Sequence, residues 1–409
     1  MAEDHDFIKL ASRMALLPPY LFGRINNRRD ELRKSGVDVI DMAMGNPTDP
    51  TPEPIVEKLC EVVQDPRNHR YSIGGGIYNL RREVARYYER EWNVGLEPSS
   101  EVIATIGSKE GFSHLCLALI GPGDTALIPT PSFPIHSHGV ALAGGQYVGI
   151  NVLDDEIFLR ELDKLCRTLN PAPKVLFLNY PHNPSAHTVE QAFFDAVVPL
   201  AKKHELIVVH DFAYGKVCFD DYRAPSFLSS PGAKDIGVEF TTMSKTFNMA
   251  GWRIGFCAGN PKIISALGAI KGYYDYGIFQ AIQIAAIIGM RHCGEFAELQ
   301  ARKYQRRRDV VLDGLQRVGW TGVESPRAGM FIWAPIPAEF SAEGSMAFAD
   351  RLLEDAAVTV SPGAGFGPEG QHAVRMALVE NRQRLQQGVR QIGRAFRQWR
   401  EVATQGEAK

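Results

Sequence analysis

Between residues 101 and 260 the chain repeats one pattern, a short apolar run followed by a helical one, and this repetition leaves few folds open. The runs "EVIATIGS", "DTALIPTP", "GGQYVGINV", "PKVLFLNYP", "ELIVVHDFA", "VEFTTMS" and "RIGFCAGN" read as strands. The most apolar of them lack polar alternation, as strands do when both faces of their sheet are covered. "VEQAFFDAVVPLAKKH" has apolar residues at helical spacing and ends in cations, which predicts a crossover helix between two strands. The fold class predicted is α/β, a mostly parallel sheet flanked by helices.

After about residue 285 longer charged helices take over, "FAELQARKYQRRRDVVLDGLQRVG" and "NRQRLQQGVRQIGRAFRQWREV", around the short strands "MFIWAPIP", "AVTVSP" and "AVRMALVE". The shift predicts a large domain at 49–285 and a smaller α+β domain. Residues 286–397 form the C-terminal part of that smaller domain, and residues 1–48 form an N-terminal arm and its first part. Residues 398–409 predict a frayed tail.

Composition removes whole classes of function. With 409 residues, 45% hydrophobic and 22% charged, the chain can bury a large core. A formal net charge of -2 with no long basic run gives no footprint for nucleic acid. Runs such as "AIQIAAIIGM" are too short for a membrane span, and "MAEDHDFIKL" lacks the pattern of a signal peptide. Six scattered cysteines without a CxxC pair fit a reducing compartment, so a soluble cytoplasmic protein is expected, bound to neither nucleic acid nor membrane. Nothing in their spacing suggests a metal.

The residues with chemical potential fall at strand ends or just after them, where open α/β sheets bind ligands. Asp211 ends "ELIVVHDFAY", with Tyr214 three residues on. A carboxylate beside so apolar a strand needs a cationic or hydrogen-bonding partner, or it caps a turn. Asn183 precedes Pro184 in "NYPHNPSA", a common turn starter. "IGSKEG" sets Ser108 and Lys109 at a strand-to-helix junction, where free backbone N–H groups favour phosphate, or where Ser108 serves as a plain N-cap. Phe133, between prolines in "PTPSFPIH", can stack on a planar ring or pack in the core.

"TTMSKTFNMAGWRIGF" is sharper. Ser244 and Lys245 are read as the end of one strand, and Arg253 as the start of the next. Only a neutral amine attacks a carbonyl, so a lysine among hydroxyl side chains suits that task. Ser244 and Arg253 together can grip a phosphate. Taken jointly these residues describe pyridoxal 5'-phosphate. Lys245 carries its aldehyde, Asp211 pairs with its ring nitrogen, and Asn183 and Tyr214 bond its phenolic oxygen. Phe133 stacks on the ring, and Ser108, Lys109, Ser244 and Arg253 surround the phosphate.

In order and spacing, "NP" at Asn183, "DFAY" at Asp211, "SKTFNMAGWRIGF" at Lys245 and the arginine of "VRMALVEN" at Arg375 resemble the class I aminotransferases among the fold type I pyridoxal-phosphate enzymes. "IDMAMGNP", "TIGSKEG", "PSFPIH", "VVHDFAY" and "SPGAGFG" bring the chain nearest the bacterial alanine (glutamate-pyruvate) aminotransferase branch, near the LL-diaminopimelate aminotransferases. The resemblance implies a ping-pong exchange between an L-amino acid, alanine or glutamate, and a 2-oxo acid, pyruvate or 2-oxoglutarate. It also implies a homodimer with shared active sites, in which Tyr71 of "YSIGGGIYNLR" reaches the partner's phosphate. Gly45 of "GNP" would lie against the substrate carboxylate and Arg375 would bind it bidentately. Read from residues alone, Arg375 is only a buried ion-pair candidate. Tyr20, Arg24 and Lys109 are placed near a distal carboxylate by family position.

Two departures from the branch bear on substrate. Gly74, Gly75 and Gly76 replace its usual serine-arginine-glycine step, which predicts a more flexible and less charged loop. "IFQAIQ", with Gln280 and Ala281, replaces "TFTPLQ". Competing readings are a C–S beta-lyase on the same fold, an aminotransferase for aspartate or LL-diaminopimelate, a cofactor-sensing effector domain and a Rossmann dehydrogenase. The effector domain lacks its DNA-binding extension, and no GxGxxG opens a helix after the first strand.

Overall fold

A computed structural model describes residues 8–17 and 21–407. All seven runs predicted between 101 and 260 become strands of one sheet. With β1 at Ile40–Met42, these are β2 (Val102–Thr105), β3 (Thr125–Thr130), β4 (Gln146–Asn151), β5 (Pro173–Asn179), β6 (Ile207–Asp211), β7 (Gly237–Thr242) and β8 (Gly255–Gly259). Their order is β2-β8-β7-β6-β5-β3-β4, and β8 alone runs antiparallel to its neighbours. The central strands are buried along their length, β7 and β8 at every residue, which is why their sequences show no polar alternation. The predicted crossover helix forms at Gln191–Lys203 and packs Phe193, Phe194, Val197 and Val198 inward.

The second sheet is smaller. It joins β1 to β9 (Phe331–Pro335), β10 (Val358–Pro362) and β11 (Ala373–Ala377) in the order β1-β10-β11-β9. β1 pairs parallel with β10, while β11 runs antiparallel to both β10 and β9. Each sheet has its own apolar core. The helix Gln280–His292 and the start of Gly294–Arg317, through Ala297, pack with the large sheet, while Tyr304, Val311 and Leu315 pack with the small one. The change of core therefore falls inside one continuous helix, later than the boundary at 286 that composition suggests. Tyr214, Val217 and Phe219 also join the small-sheet core from just after β6.

Two other expectations change. The helix Arg382–Glu407 continues through the region predicted as a tail from 398, and Trp399 is buried on its inner face, with its indole N–H bonded to Asp355 Oδ2 at 2.7 Å. The Gly74–Gly76 loop, predicted to be loose, lies against the outer edge of β2. Gly75 O accepts a bond from Ala104 N at 3.0 Å. Gly76 has φ +90°, and a Cβ there would come within 2.7 Å of the Ala104 Cβ, so only glycine fits this approach.

Candidate active site

Where β5, β6 and β7 end, the backbone turns into loops around a cavity of about 270 Å³. The small sheet closes it through Gly45, Phe331 and Arg375. Asn179 and Asp211 are register partners at the ends of β5 and β6, so both side chains start from one level of the sheet. Asn179 Nδ2 donates to Asp211 O at 2.7 Å, and its Oδ1 accepts from Asn183 N at 2.9 Å. This one amide ties the Asn183 loop to the strand that carries Asp211.

Asp211 is buried, and its two oxygens differ. Oδ2 faces Nε2 of His136 at 3.2 Å, and Nδ1 of His136 faces Ser132 Oγ at 3.3 Å. Oδ1 is buried without a hydrogen-bond partner among the described residues. A protonated nitrogen facing Oδ1 would gain a charge-assisted bond, which suits the ring nitrogen of pyridoxal phosphate.

Lys245 lies in a short helix, Met243–Thr246, and not on the strand predicted to hold it; β7 ends at Thr242. Thr242 caps that helix, its Oγ1 accepting from Ser244 N at 3.2 Å and donating to Ser244 Oγ at 2.9 Å. Lys245 Nζ donates to Gly45 O at 2.7 Å. Desolvation, with the positive charges of Arg375 and Arg253, lowers its pKa to about 8, so roughly a tenth to a fifth of the amine is neutral near physiological pH, far more than for an ordinary lysine. Burial likewise pushes the Tyr214 hydroxyl above its usual range, which keeps it a phenol able to donate.

A phosphate-sized anion would meet the other end of the cavity. Gly107, at φ +73°, is the N-cap of the helix Ser108–Leu119, and no side chain caps it, so the plain N-cap role considered for Ser108 is not the arrangement found. A Cβ on Gly107 would run into the Arg253 guanidinium. Arg253 itself precedes β8 in a left-handed conformation at φ 55°, and its Nη1 donates to Ala250 O at 2.8 Å. Ser108, Lys109, Phe133, Ser244 and Arg253 all line the cavity.

Arg375 on β11 is buried yet well supplied with partners. Nη1 donates to Asn183 Oδ1 at 2.7 Å, and Nη2 to Ala43 O at 3.0 Å and Ser361 Oγ at 3.3 Å. Its guanidinium carbon lies 4.1 Å from the centre of the Phe331 ring and 4.7 Å from that of Phe366. Two predicted residues stand elsewhere. Tyr71 is 91% exposed, its ring 5.5 Å from that of Tyr276, and Arg24 pairs with Asp350 at 2.6 Å on the surface. Tyr20 lies outside the described residues. His136, Asn179 and Phe331 were missed by sequence reasoning. Asn179 closes the strand run "PKVLFLNYP", and His136 follows Ser132 by one helical turn, so both had a signal; Phe331 had none.

A buried lysine in a cavity between a mostly parallel sheet and a smaller mixed one is the arrangement of the pyridoxal 5'-phosphate enzymes of fold type I. The sequence model of the family "Aminotransferase class I and II" matches residues 37–392, and the chain belongs to that family. It is 47% identical to the glutamate-pyruvate aminotransferase AlaC of Escherichia coli strain K12 over 94% of this chain and 93% of that protein. To the LL-diaminopimelate aminotransferase of Moorella thermoacetica it is 40% identical, over 94% of this chain and 98% of that one. The substrate-bound structure of BacF from Bacillus subtilis superposes with a TM-score of 0.89 at 34% identity, covering 95% of this chain and 98% of that chain. The protein is therefore an aminotransferase with pyridoxal 5'-phosphate as cofactor, acting on amino acids and 2-oxo acids.

Proposed function

We propose that this enzyme exchanges amino groups between L-alanine or L-glutamate and pyruvate or 2-oxoglutarate, as a cytoplasmic homodimer of amino-acid metabolism. The name and identity of the Escherichia coli relative support the substrates. Among the described residues no helix is long and apolar enough to cross a membrane. Support for the dimer comes from the exposed Tyr71, Ile73 and Tyr273, which a second copy would cover.

The observation that carries the mechanism is the Lys245 amine, facing the same cavity as the unpartnered Asp211 Oδ1 and the fork of Arg375. Pyridoxal 5'-phosphate, held by Ser108, Lys109, Phe133, Asn183, Asp211, Tyr214, Ser244, Lys245 and Arg253, supplies an electron sink for the substrate's α-carbon. Lys245 would hold the cofactor and, once free, would act as the base that moves a proton from the substrate's α-carbon. Asp211 would accept from a protonated ring nitrogen through its unpartnered Oδ1, while His136 faces its other oxygen. Tyr214, kept neutral by burial, donates to the phenolic oxygen. Arg375 takes the α-carboxylate, with Asn183 fixing one arm of its fork and Gly45 lying beside the bound acid. Tyr71 would serve the partner's phosphate.

A half-reaction screen tests the substrates. Each amino acid is mixed with the pyridoxal form, and conversion to the pyridoxamine form is followed by absorbance. Alanine and glutamate should convert fastest. Faster conversion by aspartate or LL-diaminopimelate would reassign the donor, and pyruvate release from cysteine-type substrates without a 2-oxo acid would make the enzyme a lyase.

A further inference from the structure

An ion-paired cluster around the buried Lys271 lies outside the chemistry described so far, and it touches the turn proposed to cradle the phosphate. Glu110 is the third residue of the helix Ser108–Leu119, and its Oε2 accepts from Ile106 N, in the turn itself, at 2.6 Å. Its Oε1 meets His114 Nδ1 and accepts from Lys271 Nζ at 3.2 Å. Lys271, on the helix Pro261–Tyr274, is wholly buried, and it also donates to Asp275 Oδ2 at 2.8 Å. Asp275 Oδ1 in turn accepts from Gly277 N at 2.7 Å. Glu110, His114 and Asp275 converge as metal ligands might, yet the Lys271 ammonium bridges the two carboxylates, so the group is an ion-paired cluster.

A buried lysine is costly to desolvate, and packing alone gives no reason to keep one here. The helix N-terminus offers a reason. Its field favours anions, and Glu110 already places one carboxylate there. Without compensation that carboxylate would repel a second anion arriving at Gly107 and Ser108. We propose that Lys271 is a positioning residue for the phosphate cradle: shared between Glu110 and Asp275, it offsets the charge of Glu110, leaving the helix N-terminus available to the cofactor's phosphate while Glu110 still holds Ile106 N. The inference rests on the phosphate placement proposed above.

The test compares titrations of the apoenzyme with pyridoxal 5'-phosphate and with pyridoxal, which lacks the phosphate. Lys271→Met leaves two carboxylates without their cation and should weaken the phosphate-bearing cofactor about tenfold, while pyridoxal binding changes less than about twofold. Adding Glu110→Gln to Lys271→Met should restore part of the loss, because Asp275 stays without its cation. Equal weakening of both ligands, no weakening, or no restoration by the second substitution would overturn the inference, since a purely structural role affects both ligands alike. If Lys271→Met does not fold, Glu110→Gln alone decides, because removing the anion should tighten pyridoxal 5'-phosphate about threefold, and unchanged or weaker binding contradicts the proposal. A wild-type enzyme that binds both ligands equally would show that the phosphate placement itself is wrong. A wild-type preference that Lys271→Met leaves intact would refute only the role of Lys271.

Discussion

The large sheet supplies the cavity from the ends of neighbouring strands, whereas the small sheet supplies one arginine held from three directions. Asn179 and Asp211 are aligned by the ladder between β5 and β6, and the hydrogen bonds of one side-chain amide pass that alignment to the Asn183 loop. Arg375 depends on tertiary closure, because its partners Asn183, Ala43 and Ser361 lie 192, 332 and 14 positions away. The first arrangement is held by the strand ladder and suits a cofactor that stays bound through turnover. The second joins both sheets at one guanidinium and suits a carboxylate that comes and goes. Damage to the two sides should therefore separate cofactor binding from substrate binding.

Lys245→Ala strikes the large-sheet side hardest. Turnover should fall to background, with weaker, noncovalent cofactor binding left behind. Borohydride reduction of the wild-type enzyme and peptide mapping should find the pyridoxyl group on Lys245; a label on Lys109 or Lys216 would break the assignment. Asp211→Ala comes next. A neutral pyridine is a poor electron sink, so the half-reaction should slow by about 10²–10⁴-fold, each tenfold being about 1.4 kcal/mol of barrier. Near-normal rates in rapid-mixing absorbance experiments would remove Asp211 from the chemistry.

The smallest effect is one of pH. A lysine pKa lowered to about 8 means that the neutral amine rises with pH up to about 8 and then levels off. Cofactor capture by the apoenzyme should follow that curve, about tenfold slower for each unit below 8. A rise that continues toward 10.5, the ordinary lysine value, would show that the cavity does not desolvate Lys245.

The same contrast explains what the sequence disclosed. Asp211 was legible because β6 is an apolar run that stops at it, whereas Asn179 and Thr242, which end β5 and β7 in the same way, were passed over. Lys245 was found on the right segment but the wrong element, since a four-residue helix capped by Thr242 leaves almost no periodic signal. Arg375 was legible only through resemblance, because no local pattern records that Ala43 O will meet it. His136 was passed over although it lies four residues after Ser132, because its partner Asp211 is 75 positions away and that spacing does not point there. The triple glycine read as looseness, yet its lack of side chains is what lets the loop lie on Ala104.

The separation of cofactor side from substrate side is tested most directly by one paired measurement on two variants, the dissociation constant for pyridoxal 5'-phosphate and the apparent affinity for alanine and glutamate. Gly107→Ala forces a side chain at φ +73° into the Arg253 guanidinium and should weaken the cofactor about tenfold or more, with donor affinity unchanged once the cofactor is saturating. Arg375→Lys keeps the charge but loses the fork, so affinity for alanine and glutamate should fall together, about tenfold or more, with the cofactor constant unchanged. If Arg375→Lys loosens the cofactor, or weakens glutamate alone, the small sheet does more than hold the common α-carboxylate, and the division is wrong.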